Sequence, residues 1–225
     1  DPHSGYIRHE GIPEFGPTVY DIYDHEIRYT DLHIGRMLDG LRERGMLKDT
    51  VIVLTSDHGE GLDPEKDHGF QYHGQTLYDN LLRVPLFVVM PGVAPAVVRR
   101  PVGNIDVLPT LLEATGVPAP EGAVFHGRSL MGLMRGTTDK HPPTFSEKVT
   151  TNVIPQKSMV DWPYKIIWKI GPNHFELYHL EKDPDELVNL HKDEPEVLAR
   201  LKARIQRWRA AELKERKPHP SQAKP

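Results

Sequence analysis

Cysteine is absent from the 225 residues, which excludes a disulfide framework, a thiolate metal site and a cysteine nucleophile within this chain. The redox compartment therefore stays open. No apolar run approaches the roughly 20 residues that cross a bilayer. An excess of positive charge is missing too: 28 Lys and Arg face 32 Asp and Glu, the net charge is −4 and the pI is near 6.4. That balance gives no electrostatic case for a nucleic-acid binder. There is no internal repeat and no initiating methionine, and the start at Asp1 sets the expectation of an upstream segment. What remains is enough to fold. Charged residues are 27% and hydrophobic ones 38%, sufficient for one large domain or two smaller ones. Histidine is the unusual entry, with thirteen copies.

After a Gly-, Pro- and His-rich start, Tyr20, Tyr23, Ile27, Ile34, Leu38 and Leu41 form one apolar stripe at helical spacing. Thr18 is the expected cap and Gly45 the stop. The run Val51 to Thr55 is continuous and β-branched, the pattern of a strand buried on both faces. A second such strand spans Pro85 to Met90. With a polar loop and a short helical stretch near Thr76–Leu82 between them, the pair predicts a right-handed βαβ unit in a parallel-rich sheet. A further helix fits Val107–Thr115, with Asp106 as cap and Gly116 ending it. Near Thr137 the texture changes, and Lys140-His141-Pro142-Pro143 reads as a linker. Beyond it, Tyr164–Ile170 and Phe175–Leu180 flank Gly171-Pro172-Asn173, an antiparallel hairpin. The last helix carries Leu198, Leu201, Ile205 and Trp208 on one face. Its basic positions are interspersed with glutamates and read as a solvated face. The three tryptophans read as packing residues. The expected organisation is an α/β domain over residues 1–136, an α+β subdomain over 137–217, and a disordered tail over 218–225.

The chemistry concentrates in Thr55-Ser56-Asp57-His58-Gly59-Glu60. Ligands in open α/β sheets gather at the carboxyl ends of strands, where Asp57 and His58 fall. Neighbours on an extended strand face opposite ways, so both could serve one metal only if the chain turns, for which Gly59 would supply the freedom. A carboxylate oxygen and an imidazole nitrogen suit a divalent cation without completing its shell. The bland alternative is Asp57 capping the next element and His58 bonded to backbone. His68 and His73, each beside a glycine in the following loop, could reach the same place and donate a proton near neutral pH; the alternative is a solvent-exposed loop. His3 has no support from periodicity.

The ordered series of motifs resembles the sulfatases of the alkaline phosphatase superfamily over most of the chain. It runs from Asp1-Pro2-His3-Ser4-Gly5-Tyr6 and Tyr23-Asp24-His25-Glu26-Ile27 through Thr55 to Glu60, His73-Gly74 and Arg83-Val84-Pro85-Leu86. It continues with Asp106 to Leu111 and Gly127-Arg128-Ser129-Leu130, and closes on Glu176 to Leu180 with Asp183-Pro184, Glu186 and Asn189-Leu190. The resemblance implies an alkaline-phosphatase-like fold and metal-assisted hydrolysis of a sulfate ester, of a small molecule or a glycan. Asp57 and His58 match two ligands of a divalent metal, commonly calcium. His73 and His3 match groups at the sulfate and the leaving oxygen, although Ser4-Gly5-Tyr6 departs from the usual proline before tyrosine. His68, Ser56 and Gly59 fall in the supporting shell.

The family's nucleophile is a formylglycine made from Cys or Ser in a Cys/Ser-x-Pro-x-Arg motif. No such motif occurs here, and the acidic pair that opens the metal site is absent as well. Both are expected upstream, so the 225 residues alone are expected to be inactive. A phosphodiesterase or phosphonate monoester hydrolase of the same superfamily, with manganese or zinc, is the competing enzyme, and a non-catalytic fragment or binding module the competing class. Oligomeric state and compartment stay open, although many bacterial relatives are exported.

Overall fold

Thr18 starts the first helix as its hydroxyl predicts. In the computed structural model, which describes Pro2, residues 5–63, Glu65, and residues 68–148 and 154–215, α1 spans Val19–Glu43. The Asp21 amide donates to Thr18 Oγ1 (3.2 Å) and the Thr18 amide to Asp21 Oδ2 (2.9 Å), which satisfies two donors that a helix start leaves unpaired. Gly45, at φ 67°, follows the last turn. His3 and the tail over 218–225 lie outside the described residues.

The described chain forms two compact units. The first comprises Asp1–Thr76 with Asn80–Val97, the second Leu77–Asp79 with Val98–Pro225.

In the first unit the apolar stripe of α1 is only half covered, and none of its residues is fully buried. Tyr20 is 37% exposed and Ile27 43%, whereas His25 and Glu26 are buried. Both tie down the preceding segment: His25 Nε2 accepts the His9 amide at 2.7 Å and Glu26 Oε1 the Ile7 amide at 2.8 Å. Spacing finds a helix but cannot report a backbone segment laid across it. The two continuous strands are β1 (Ile52–Thr55) and β2 (Leu86–Val89), with the one-turn helix α2 (Asp79–Leu82) before β2. They pair antiparallel, Ile52 opposite Val89 and Thr55 opposite Leu86. The expected parallel βαβ unit is therefore corrected. Nor is the second strand buried on both faces as expected: its burial alternates, with Phe87 62% and Val89 60% exposed, because a continuous apolar run marks a strand but fixes neither its direction nor what covers its second face.

In the second unit, α3 (Val107–Thr115) ends at left-handed Gly116, and α4 spans Met131–Met134. Asp106 is not the side-chain cap that its position predicts. Its carboxylate accepts the amides of Gly103 and Arg128, both at 2.7 Å, and faces His141 Nε2 at 3.3 Å. Gly127 passes so close to Ile105 that a β-carbon would sit 2.1 Å from its carbonyl oxygen. Four antiparallel strands follow in sequence order: β3 (Thr144–Lys148), β4 (Gln156–Asp161), β5 (Tyr164–Lys169) and β6 (His174–His179). The expected hairpin is its last pair. The helix α5 (Pro195–Glu215) buries Leu201 and Ile205 against Met159, Ile166, Trp168, Phe175 and Leu177.

The other face of this sheet is polar and equally dry. Lys165 is fully buried, its ammonium 2.6 Å from Asp79 Oδ1 and 2.8 Å from Glu186 Oε1. Tyr78 donates to Glu176 Oε2 at 2.8 Å and Lys169 to Oε1 at 2.5 Å. A buried charge is tolerated only when paired in this way. Among the described residues no helix is long and apolar enough to cross a membrane.

Candidate active site

Asp57 and His58 leave the carboxyl end of β1. Asp57 Oδ1 accepts the His58 amide at 3.0 Å and Ser56 Oγ donates to the His58 carbonyl at 2.7 Å. His58 Nδ1 sits 2.8 Å from the Gly59 carbonyl. With that nitrogen donating, the ring carries its lone pair on Nε2, which lies 3.8 Å from Asp57 Oδ2. The backbone contact of the bland alternative is thus present, and it is what fixes the tautomer a metal ligand needs. Burial works against the Asp57 charge, but the amides of Asp57 and His58, then the His58 ring and the Ser56 hydroxyl, together outweigh it. They hold the carboxyl below its usual range.

Gly59 has a different role from the one its type implies. Its φ is not left-handed. A β-carbon there would stand 2.1 Å from the Asn80 carbonyl oxygen, and the Gly59 amide donates to the Leu81 carbonyl at 2.8 Å. It is the close backbone approach of α2, not freedom to turn, that calls for glycine.

The His-rich loop is tied at its neck. Gly61 and Tyr72 exchange both backbone hydrogen bonds, at 3.1 and 2.7 Å. This sets Glu60 and His73 on either side of the bridge. His73 Nδ1 is 3.2 Å from Glu60 Oε1, and its ring stacks on His58 with centroids 4.1 Å apart. Tyr6 lies against the same carboxylate. Burial first, then the Glu60 charge, pushes its phenol well above the ordinary range. The structure therefore brings Asp57, His58 and His73 together, with Ser56 and Gly59 beside them. His68 occupies a left-handed position (φ 57°) inside the loop. Sequence reasoning missed Glu60 as a site residue. Its signal was present, at the end of the Asp57-His58 motif, but nothing in spacing reveals the bridge that turns it to His73.

The donor set of Asp57 and His58 fits a hard to borderline divalent cation. It is incomplete: among the described residues no group of three or more His, Cys, Asp or Glu could hold a metal.

Comparison with known proteins decides the family. The model of the family "Sulfatase" matches residues 7–117, and that of "N-sulphoglucosamine sulphohydrolase, C-terminal" matches residues 66–211, more than half of the chain. The chain belongs to the sulfatase family of the alkaline phosphatase superfamily. Among curated relatives this sulfatase chain is 31% identical to the choline-sulfatase of Rhizobium meliloti (strain 1021) over 170 residues, 75% of this chain and 32% of that protein. Among solved structures it resembles a 2-O GAG sulfatase (TM-score 0.72, 26% identity, 84% of this chain and 42% of that one). It also resembles a phosphonate monoester hydrolase from Silicibacter pomeroyi (TM-score 0.71, 26% identity, 90% and 44%). The sulfatase chain spans about a third of the length of the curated relatives it matches. The family is generally metal-dependent and uses formylglycine.

Proposed function

We propose that this chain supplies the leaving-group side and part of the metal site of an enzyme that hydrolyses sulfate esters. The observation that carries the reading is the approach of Asp57 Oδ2 to His58 Nε2, 3.8 Å apart, with the His73 ring stacked on that of His58. Asp57 and His58 would hold a divalent ion, calcium by family likeness, which when bound draws charge from the sulfuryl oxygens and so stabilises the transition state. The remaining ligands and the formylglycine nucleophile come from outside these residues.

His73 acts as the general acid. A proton on its Nε2 passes to the departing alkoxide or phenoxide oxygen while Nδ1 stays on Glu60. The buried carboxylate orients the ring and balances its charge, as an acid behind a catalytic histidine does. His58 stacks alongside, its Nε2 left for the ion by the contact of Nδ1 with the Gly59 carbonyl. His3 remains a second candidate for contact with the leaving group, and His68 a loop residue in support.

The test is hydrolysis of 4-nitrophenyl sulfate by the full-length protein, with and without chelator and with its formylglycine processed. Turnover that chelation abolishes is expected; none under any divalent metal would sink the reading. The likeness to the phosphonate monoester hydrolase favours one second reading, a phosphoryl-directed enzyme with manganese or zinc. Faster hydrolysis of an aryl phosphonate than of the aryl sulfate would establish it instead.

A further inference from the structure

Trp162 stands apart from the other two tryptophans. Trp168 and Trp208 pack around the core of the second unit, whereas Trp162 is 37% exposed. It edges a cleft of about 320 Å³ whose walls include Pro142, Arg100, Lys140 and Asp161. That volume lies at the lower end of the roughly 300–1,000 Å³ typical of small-molecule sites.

The hydrogen-bonding capacity of the cleft is one-sided. Its carboxylates each face a cation: Asp161 Oδ2 takes Arg200 at 2.6 Å and Arg204 at 3.1 Å. Asp139 receives Arg100 Nε on its carbonyl at 2.9 Å and faces the same guanidinium with its carboxylate at 3.7 Å. Its donors are not all engaged. Neither the Lys140 ammonium nor the Trp162 indole N–H has a partner among the described residues, and Arg100 keeps N–H groups beyond those given to Asp139. The floor is fixed, because His141, the residue after Lys140, is buried against Asp106 with its Nδ1 on the Pro142 carbonyl at 2.8 Å.

We infer that this cleft is a second binding site, separate in its residues from Asp57, His58 and His73, for an anionic saccharide. The ligand must be rich in acceptors, carry negative charge and present a flat apolar face. A pyranose ring bearing sulfate meets all three: its C–H face lies on the indole and its sulfate oxygens accept from Lys140 and Arg100. A neutral sugar would leave the cations unanswered. The segment reads as a mere linker in the sequence because nothing there reveals that Pro142 and Lys140 face Trp162.

The test is tryptophan fluorescence titration of the full-length protein with a heparin-derived hexasaccharide, in the His73→Ala background so that turnover cannot deplete the probe. Saturable quenching is expected, weakened about tenfold or more, equivalent to a loss of some 1.4 kcal/mol, in Arg100→Gln/Lys140→Gln. Calorimetry should show the same weakening for Trp162→Ala. The chemically desulfated hexasaccharide should bind at least as poorly. Unchanged affinity in both variants, equal binding of the desulfated probe, or tighter binding of ATP would each overturn the assignment. Unaltered far-UV circular dichroism shows that the variants are folded, and either alone suffices for the comparison. Because binding is read without turnover, an enzyme that hydrolysed no sulfate ester could still show it.

Discussion

Nδ1 of His73 stands 3.2 Å from Oε1 of Glu60, and the Glu60 side chain is 3% exposed. A carboxylate buried behind an imidazole is placed to orient and to balance charge, not to meet substrate.

From this, Glu60→Gln should lower kcat of the full-length enzyme by about 10–100-fold, the range for partners that orient a functional histidine, with KM little changed. His73→Ala should cost about 10²–10⁴-fold. Both losses should shrink for aryl sulfates with good leaving groups, which need less proton donation. A loss independent of leaving-group pKa would remove His73 as the acid.

Asp57→Ala and His58→Ala should each abolish stabilisation by divalent metal. Calcium at about 100 times its Kd stabilises a folded protein by about 2.7 kcal/mol. Thermal unfolding of the full-length protein with calcium and with chelator should show that difference in the wild type and none in the variants.

Gly59→Ala should be structurally intolerable. A methyl group 2.1 Å from the Asn80 oxygen forces β1 and α2 apart, at a cost of about 3 kcal/mol or more. Urea unfolding would measure it, and an alanine variant of wild-type stability would contradict the packing described.

The Asp106–His141 pair makes stability depend on pH in a definite sense. The hydrogen bond to Asp106 raises the His141 pKa above its ordinary 6.5, against burial. Burial opposes ionisation of Asp106, but His141 and the amides of Arg128 and Gly103 hold its pKa below 3.8. The His141 contribution is therefore complete below about pH 6.5 and lost as pH rises through the raised value. That of Asp106 is present above about pH 3.8 and lost as pH falls through the lowered one. Wild type minus His141→Gln stability should thus be largest from about pH 4 to 6.5 and shrink on either side. Glu186, pushed up to about 7 by burial, adds its own decline with rising pH in both proteins and cancels in the difference.

Lys165→Met should cost about 3–5 kcal/mol, since it leaves the buried Glu186 and the half-buried Asp79 without their cation. Adding Asp79→Asn should recover part of the loss; strictly additive losses would mean that the two do not interact.

Local signals were the most legible part of this chain. Thr18 and Asp21 announce α1, Gly116 ends α3, and Gly171-Pro172-Asn173 marks the β5–β6 turn, because each encodes its structure within a few residues. The motif ending β1 likewise marked Asp57 and His58 as candidates, whereas His73 was legible only through the family resemblance. What escaped depends on groups distant along the chain. The β1–β2 direction, the alliance of Asp106 with His141, and the burial of His25 and Glu26 under the residue 5–10 segment leave no local pattern. β3 and β4 escaped for another reason: Ser146, Glu147, Lys157 and Ser158 break the apolar alternation that marks a strand, and Lys157 meets Glu147 only once the two strands pair.

Leu77, Tyr78 and Asp79 belong to the second unit although the first surrounds them in the chain. Consequently no single cut separates this polypeptide into two intact modules. A piece beginning at Val98 would keep Lys165, Glu176 and Glu186 but forfeit the Tyr78 hydroxyl and the Asp79 carboxylate that answer them. Exchange of the carboxyl-terminal unit between related enzymes, by engineering or by recombination, must therefore carry a three-residue passenger from well upstream or leave a buried cation short of its counterion.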